Sequence, residues 1–247
     1  MQLSELQNKH KDEVIFIVGA GPSVDKIDVD LLKDYTVMAV NSGVVAAQFA
    51  DYFVSDDPAI MSWSYFRSLE ELDCVCLFFR DRWRDVDVEF LPTGRVVFYS
   101  HKSWFSPPST YNLPDGLILT KDIKEPIIGS RTSTGSCVHL AYCMGAKVIV
   151  LLGNDCKLDK NGKRYFWQYN KKSFQPTRIK GHAFNDRTQN MGFGRDAFVE
   201  YWTKFAEVNA DIIGKDVEII DCSDSGLGCF PEMHLQEILD KYGDRKK

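Results

Sequence analysis

Gly19-Ala20-Gly21-Pro22-Ser23 follows directly on the apolar run Val14-Ile15-Phe16-Ile17-Val18. Glycines at 19 and 21 let backbone approach a ligand closely, and a turn of this kind can offer N–H groups to a phosphate. The plainer reading is a tight strand-to-helix turn with no ligand. Val24 stands where a dinucleotide fingerprint would have its third glycine, which disfavours a redox NAD enzyme. Asn41, Asn154-Asp155 and Ser223 also stand at the ends of apolar runs. Arg131 with Thr132, Ser133, Thr134 and Gly135 combines a guanidinium, hydroxyls and a helix start, which suits an anion and also supplies an N-cap. Asp56-Asp57-Pro58 has two readings. The carboxylates could hold a Mg²⁺ that bridges phosphates, or the tripeptide is a turn; the turn is preferred.

Residues 157–180 carry eight Lys or Arg against one acid, interleaved with Tyr165, Phe166, Trp167, Tyr169 and Phe174. A charge run is usually a solvated face, but rings beside cations suit stacking on bases or sugars. This stretch reads as a lid, about 156–195, with Lys163, Arg164 and Tyr169 available to a leaving phosphate. Gly181-His182 follows, and a histidine that reaches an acceptor hydroxyl can act as its base near neutral pH. His10 and His234 read as surface residues, and His139 as packed on a helix.

These groups need elements to hold them. Residues 14–18, 36–40, 52–54, 74–79, 95–99, 147–152 and 217–220 read as strands, most of them continuous apolar runs of the kind buried on both faces. Helices are expected over 28–34, 61–72, 133–144, 196–209 and 232–242, with Gly145 as the C-terminal stop of the helix over 133–144. Residues 103–129, punctuated by proline, read as an ordered loop. The alternation gives an α/β fold: one Rossmann-like domain over 14–243 with a mostly parallel sheet, a polar segment 1–13 before it and a frayed charged tail 244–247. In such a sheet ligands bind beyond the carboxyl ends of the strands, where the polar residues above converge.

Apolar residues at 44% and charged residues at 26% suit a globular protein, and the net charge of −5 gives no general attraction to polyanions. Seven cysteines without framework spacing, no signal-peptide core and no membrane-length apolar run point to a reducing cytoplasm, a host's if the gene is viral. Cys74 and Cys76 lack the second half of a zinc site, and Cys137 and Cys143 read as buried on a helix.

In order, Ile17–Ser23, Val40-Asn41, Ser130–Gly135 and Gly153-Asn154-Asp155 resemble the MptE-like 6-hydroxymethylpterin diphosphokinase superfamily, which includes many bacterial and phage proteins. The chain also resembles the bacterial sialyltransferases that open on a Gly-Asn-Gly-Pro-Ser turn and use CMP-linked sugars. That second resemblance implies donor contacts at Gly19, Gly21, Pro22, Ser23, Asn41, Arg131, Thr132, Ser133, Thr134, Gly135 and Asn154. It implies catalytic roles for Asp155, Tyr165 and His182, with His182 as base, and it requires no metal. Ala20 replaces the family asparagine, and the first lid tyrosine has no counterpart near Lys157-Leu158, so the donor is a CMP-sugar or another nucleotide-sugar. The partners so implied are that donor and a hydroxyl acceptor: a glycan, a lipid-linked sugar or a modified base in DNA. A homo-oligomer is compatible with this. One alternative is an ATP- and Mg²⁺-dependent diphosphokinase with Asp56 or Asp57 near the metal. Another is a non-catalytic nucleotide-binding accessory protein.

Overall fold

The computed structural model describes residues 1–83, 86, 91, 95–102, 114–128, 132–169, 195–244 and 247. Seven strands form one parallel sheet: β1 (Val14–Val18), β2 (Thr36–Val40), β3 (Tyr52–Ser55), β4 (Val75–Phe79), β5 (Val96–Tyr99), β6 (Val148–Leu152) and β7 (Glu218–Asp221). Their order is β5-β4-β3-β2-β1-β6-β7. The chain therefore starts in the middle, builds outward to β5, then crosses back to place β6 on the other side of β1. Val14 pairs with Val148 and Val18 with Leu152 at that seam. The order reverses there, so the ends of β1 and β6 flank the topological switch point.

Alternation along each strand splits the core into two layers. Ile15, Ile17, Met38, Val54, Leu77, Ile149 and Leu151 face one layer, and Val14, Phe16, Val18, Val37, Phe53, Phe78 and Val150 face the other. Both faces are covered, which is why these strands read as unbroken apolar runs. Helix α3 (Ser133–Cys143) lies wholly buried in the first layer, with Cys137 and Cys143 inside it as expected. It stops at Gly145, φ +91°, where Gly145 N–H bonds Tyr142 O and Ala146 N–H bonds Ala141 O. This is the paired C-terminal bonding that a left-handed glycine permits.

Several expectations change. The single helix expected over 61–72 is broken into a 3-10 turn (Pro58–Ser62), α1 (Ser64–Ser68) and a second 3-10 turn (Leu69–Glu71), because Trp63 is extended at φ −105°, ψ 141°. A short helix α2 (Arg80–Trp83) follows β4. The helix after the lid, α4, spans Arg195–Val208, and the last, α5, spans only Leu235–Tyr242, starting where Glu237 accepts the His234 N–H. The polar N-terminal segment is not loose: Leu6 is fully buried and the N–H groups of Asn8, His10 and Asp12 bond the last carbonyls around α3. His10 is therefore buried rather than on the surface, with Nε2 2.7 Å from Tyr52 Oη and Nδ1 2.8 Å from Glu13. At the other end Lys247 Nζ bonds both oxygens of Asp51, at 2.9 and 3.1 Å. Among the described residues, no helix is long and apolar enough to cross a membrane.

Candidate functional site

The glycine turn and the end of β6 are built against each other. Gly19 N–H bonds Leu152 O at 2.7 Å and Gly21 N–H bonds Gly153 O at 2.9 Å. A Cβ on Gly19 would sit 2.6 Å from Gly153 O, and one on Gly21 would sit 2.1 Å from Asp155 Oδ2. The glycines thus serve the close approach of two strand ends. Asp155 closes the joint: Oδ2 accepts the Ser23 N–H at 2.8 Å and Oδ1 accepts the Asp224 N–H at 2.9 Å. Expected among the catalytic groups, Asp155 is placed as a staple between the glycine turn and the segment after β7. The turn also differs from a cradle of several free donors. The N–H groups of Gly19, Gly21, Ser23 and Val24 are bonded within the protein, and Pro22 has none. Ala20 keeps the one N–H of that turn without a bond among the described residues.

What the crevice offers instead is side-chain atoms. Ser23 Oγ, Asn41 Oδ1 and Asn154 Nδ2 are buried and have no hydrogen-bond partner among the described residues. They stand after β1, β2 and β6, around the switch point. An unmet buried polar atom costs about 1–3 kcal/mol, so three at one edge argue for a ligand that meets them. Backbone conformation singles out the same edge. Asn41 and Cys156, neither a glycine, sit at φ +50° and +55°, and Gly153 at +65°. Strain of this kind collects at binding sites. Gly43 brings the Asn41–Val45 turn onto β1, since a Cβ there would meet Val18 O at 2.1 Å. Thr132 caps α3 by accepting the Thr134 N–H, and Ser133 Oγ accepts the Asp56 N–H at 3.2 Å. Thr132, Ser133, Thr134 and Gly135 are so held at the helix start, the last three buried. Arg131 lies outside the described residues.

The first part of the expected lid is built over this edge. Phe166 N–H bonds Ala20 O at 3.1 Å and its ring is buried. Tyr165 stacks on Trp167 with ring centres 5.0 Å apart and planes at 12°. Trp167 Nε1–H donates to Ser42 Oγ at 3.3 Å and its ring lies 6.0 Å from that of Trp63. The result is an aromatic shelf beside Asn41. Lys163 N–H is held by Asp159 at 2.8 Å, Arg164 N–H by Gln168 at 2.7 Å, and the Tyr169 hydroxyl by Asn161 at 2.8 Å. Residues 170–194, with His182, lie outside the described residues.

A second polar cluster was not legible as such in the sequence. Asp56 accepts hydrogen bonds from the Tyr99 hydroxyl and, at 3.0 Å, from Ser136 Oγ. His101 Nε2 lies 3.1 Å from Ser136 Oγ and 3.7 Å from Asp56 Oδ1. No local motif marks His101; only the pairing of β3, β4 and β5 brings it beside Asp56. Asp57 caps the following 3-10 turn through the Ala59 N–H at 3.0 Å, with Arg82 3.8 Å away, as the turn reading of Asp-Asp-Pro expects.

A doubly wound parallel sheet with unmet polar atoms at its switch point defines a Rossmann-like α/β protein, a fold whose ligands bind at the carboxyl edge. The family model for 6-hydroxymethylpterin diphosphokinase MptE-like proteins matches residues 1–161, and the chain belongs to that family. The match takes in β1 to β6, the glycine turn, Asn41, the start of α3 and Gly153–Asp155. It ends before Tyr165, β7 and the last two helices. No curated protein matches the chain. The family is diphosphokinase-like, so an enzyme of kinase or transferase type is indicated.

A diphosphokinase implies a divalent metal on the donor phosphates. The carboxylates present do not fit a built site for it. Both oxygens of Asp56 are taken by Tyr99 and Ser136, both of Asp155 by backbone N–H groups, and Asp57 caps a turn beside Arg82. Among the described residues no three His, Cys, Asp or Glu side chains come together as a metal cluster.

Proposed function

We propose that this protein is a nucleotide-dependent transferase whose donor lies across the ends of β1, β2 and β6. In the reading favoured here the donor is a CMP-sugar or another nucleotide-sugar, and the sugar passes to an acceptor hydroxyl in one displacement. The observation that supports it is the trio of buried, unmet atoms on Ser23, Asn41 and Asn154 around the switch point. Ser23 Oγ–H and Asn154 Nδ2–H can donate to phosphate or ribose oxygens, Asn41 Oδ1 can accept from a ribose hydroxyl, and the Trp63–Trp167 shelf beside them suits a base. The side-chain hydroxyl of Tyr165, with Lys163, Arg164 and Tyr169 nearby in sequence, would stabilise the leaving phosphate, the place where charge develops. Arg131 and the Thr132–Gly135 segment complete the donor contacts. A histidine serves as base, a role the resemblance to sialyltransferases gives to His182. No step here calls for a metal. A glycan is the acceptor class favoured, with a base in DNA kept open by the lid's cations.

The family match supports a second reading, ATP-dependent diphosphate transfer with Mg²⁺. One experiment separates the two: thermal melting of the protein with CMP, UDP, GDP and ATP, each with and without Mg²⁺. A nucleotide at about 100 times its Kd adds roughly 2.7 kcal/mol, or about 5–10 °C in a chain of this size. A shift with CMP, UDP or GDP that does not depend on Mg²⁺ is expected. A shift seen only with ATP and Mg²⁺ gives the diphosphokinase reading instead. Binding followed by neither transfer nor hydrolysis across a nucleotide-sugar panel makes the protein a binding module.

A further inference from the structure

The segments after β1 and β6 repeat one arrangement. Each holds a buried polar atom without a partner among the described residues and, three positions later, a lysine: Ser23 Oγ and Lys26 on one, Asn154 Nδ2 and Lys157 on the other. Ser23 and Asn154 are each 6% exposed, whereas both lysines reach solvent. Residues 22–26 form a 3-10 turn, in which side chains three apart eclipse, so Lys26 stands about 6 Å outward from Ser23 on the same face. Asp25 beside it is turned about a third of a revolution away. The two lysines meet on one carboxylate: Lys26 Nζ lies 3.5 Å from Asp224 Oδ2 and Lys157 Nζ 3.6 Å from Asp224 Oδ1. Asp224 is tied to the crevice through its backbone. Its N–H bonds Asp155 Oδ1 at 2.9 Å, and the other oxygen of Asp155 holds the Ser23 N–H at 2.8 Å. The neighbouring Ser223 Oγ accepts the Asn154 N–H at 2.9 Å. Cys156 Sγ donates to Asn154 Oδ1 at 3.7 Å, which leaves the Asn154 amide a donor toward the crevice. On this side, then, a hydroxyl, an amide N–H and two ammonium groups all offer hydrogen, the set that an anion meets. After β2 the polarity reverses: Asn41 Oδ1 is an acceptor, and Trp167 is fastened beside it through Ser42.

We propose that Lys26 and Lys157 clamp a diphosphate and that Asp224 holds their place until it arrives. The donor is then a sugar linked to a nucleoside diphosphate, with its phosphates over β1 and β6 and its ribose and base over β2. This rests on the reading of a nucleotide across those strand ends, and it chooses between the donor classes left open there. Charge makes the choice. The phosphodiester of a CMP-sugar carries one negative charge, as Asp224 does, so exchanging one for the other gains the lysines nothing. The diphosphate of other nucleotide-sugars carries two, one for each lysine. The exchange is also easy. Exposed ion pairs are weak, and the bond that anchors Asp224 to Asp155 is made by its backbone, so the side chain can turn away without disturbing the joint.

The test holds the base constant and changes the phosphate count: CMP against CDP and UMP against UDP, by titration calorimetry in EDTA. Inorganic pyrophosphate serves as a probe without base or sugar. The wild type should bind a diphosphate about tenfold or more tightly than its monophosphate, and the gap should shrink as salt is raised. Lys26→Gln and Lys157→Gln, neither of them in the core, should each cost about tenfold for the diphosphates and for pyrophosphate, and leave the monophosphates within about threefold. Asp224→Asn should act in the opposite direction and tighten diphosphate binding about threefold, since it removes the competing charge and keeps the backbone bond to Asp155. A melt of each variant without ligand shows that it is folded, and a variant that is not leaves the decision to the other two. Equal affinity for mono- and diphosphate in the wild type overturns the clamp, as does a gap that survives both lysine variants or an Asp224→Asn protein that binds no better. In those cases nucleotide binding still supports the reading on which the clamp rests. If no nucleotide binds, that reading is lost; lysine-dependent binding of pyrophosphate then keeps the clamp, and its absence removes both.

Discussion

Asp155, expected among the catalytic groups, carries a structural load in the fold. Each of its oxygens accepts one backbone N–H, from Ser23 and from Asp224, and the side chain is 4% exposed. Asp155→Asn can meet only one of them, and its amide turns a donor toward the other. A loss of about 2 kcal/mol in urea unfolding is expected, the cost of one unmet buried donor. His139 carries a pH signature. It is fully buried, Nδ1 accepts the Ile128 N–H at 2.8 Å, and burial lowers its pKa to about 4. A ring kept neutral in the folded state takes its proton in the unfolded state first. Stability is therefore full above the unfolded value near 6.5 and declines as pH falls from there to about 4, by roughly 3 kcal/mol in all. Urea unfolding of the wild type against His139→Gln from pH 7.5 to 4 isolates this; equal slopes in the two proteins would reject it. The packed state of His139 was legible because it lies within an apolar helix. His10 and His101 were not, because their partners come from distant parts of the chain: Thr36 and Tyr52 for one, Asp56 and Ser136 for the other.

At the level of elements, the strands were legible to within a residue or so because both of their faces are covered, and a run such as Val148–Leu152 has no other comfortable place. The end of α3 was legible for a local reason too, since Gly145 is the residue that a left-handed turn requires. Less visible was what that turn supports. A Cβ on Gly145 would meet Lys11 Cα at 3.0 Å and Asn8 Cα at 3.3 Å, so the helix end doubles as the seat of the N-terminal segment. Gly145→Ala combines a φ of +91° with that contact. It should cost about 1–2 kcal/mol or more and loosen residues 1–12 ahead of the sheet. Hydrogen exchange at Asn8, His10 and Asp12, whose N–H groups bond Cys143, Met144 and Gly145, reads that loosening directly. Unchanged exchange there would mean that the segment is anchored by Leu6 and Gln7 alone. The break at Trp63 was illegible for the opposite reason. Nothing in Met61-Ser62-Trp63-Ser64 forbids a helix, and the extended Trp63 follows from contacts made across the fold, including its ring packing on Trp167.

For the molecule as a whole, the switch point is also the seam between two wings, β2 to β5 on one side of β1 and β6 with β7 on the other. Asp155 crosses that seam, from the loop after β6 to Ser23 on one hand and Asp224 on the other. Ser223 adds a link within the smaller wing: its hydroxyl accepts the Asn154 N–H at 2.9 Å and donates to Leu151 O. A ligand that meets Ser23, Asn41 and Asn154 touches both wings at once. It must therefore slow opening on both, since whatever frees one contact in the native state is disfavoured by the ligand. Hydrogen exchange with a saturating nucleotide should then show added protection at Ser23 and Val24 on one side and at Asn154 and Asp224 on the other. Protection confined to the β2–β5 wing would place the nucleotide away from the seam, and the unmet atoms on Ser23 and Asn154 would need another partner.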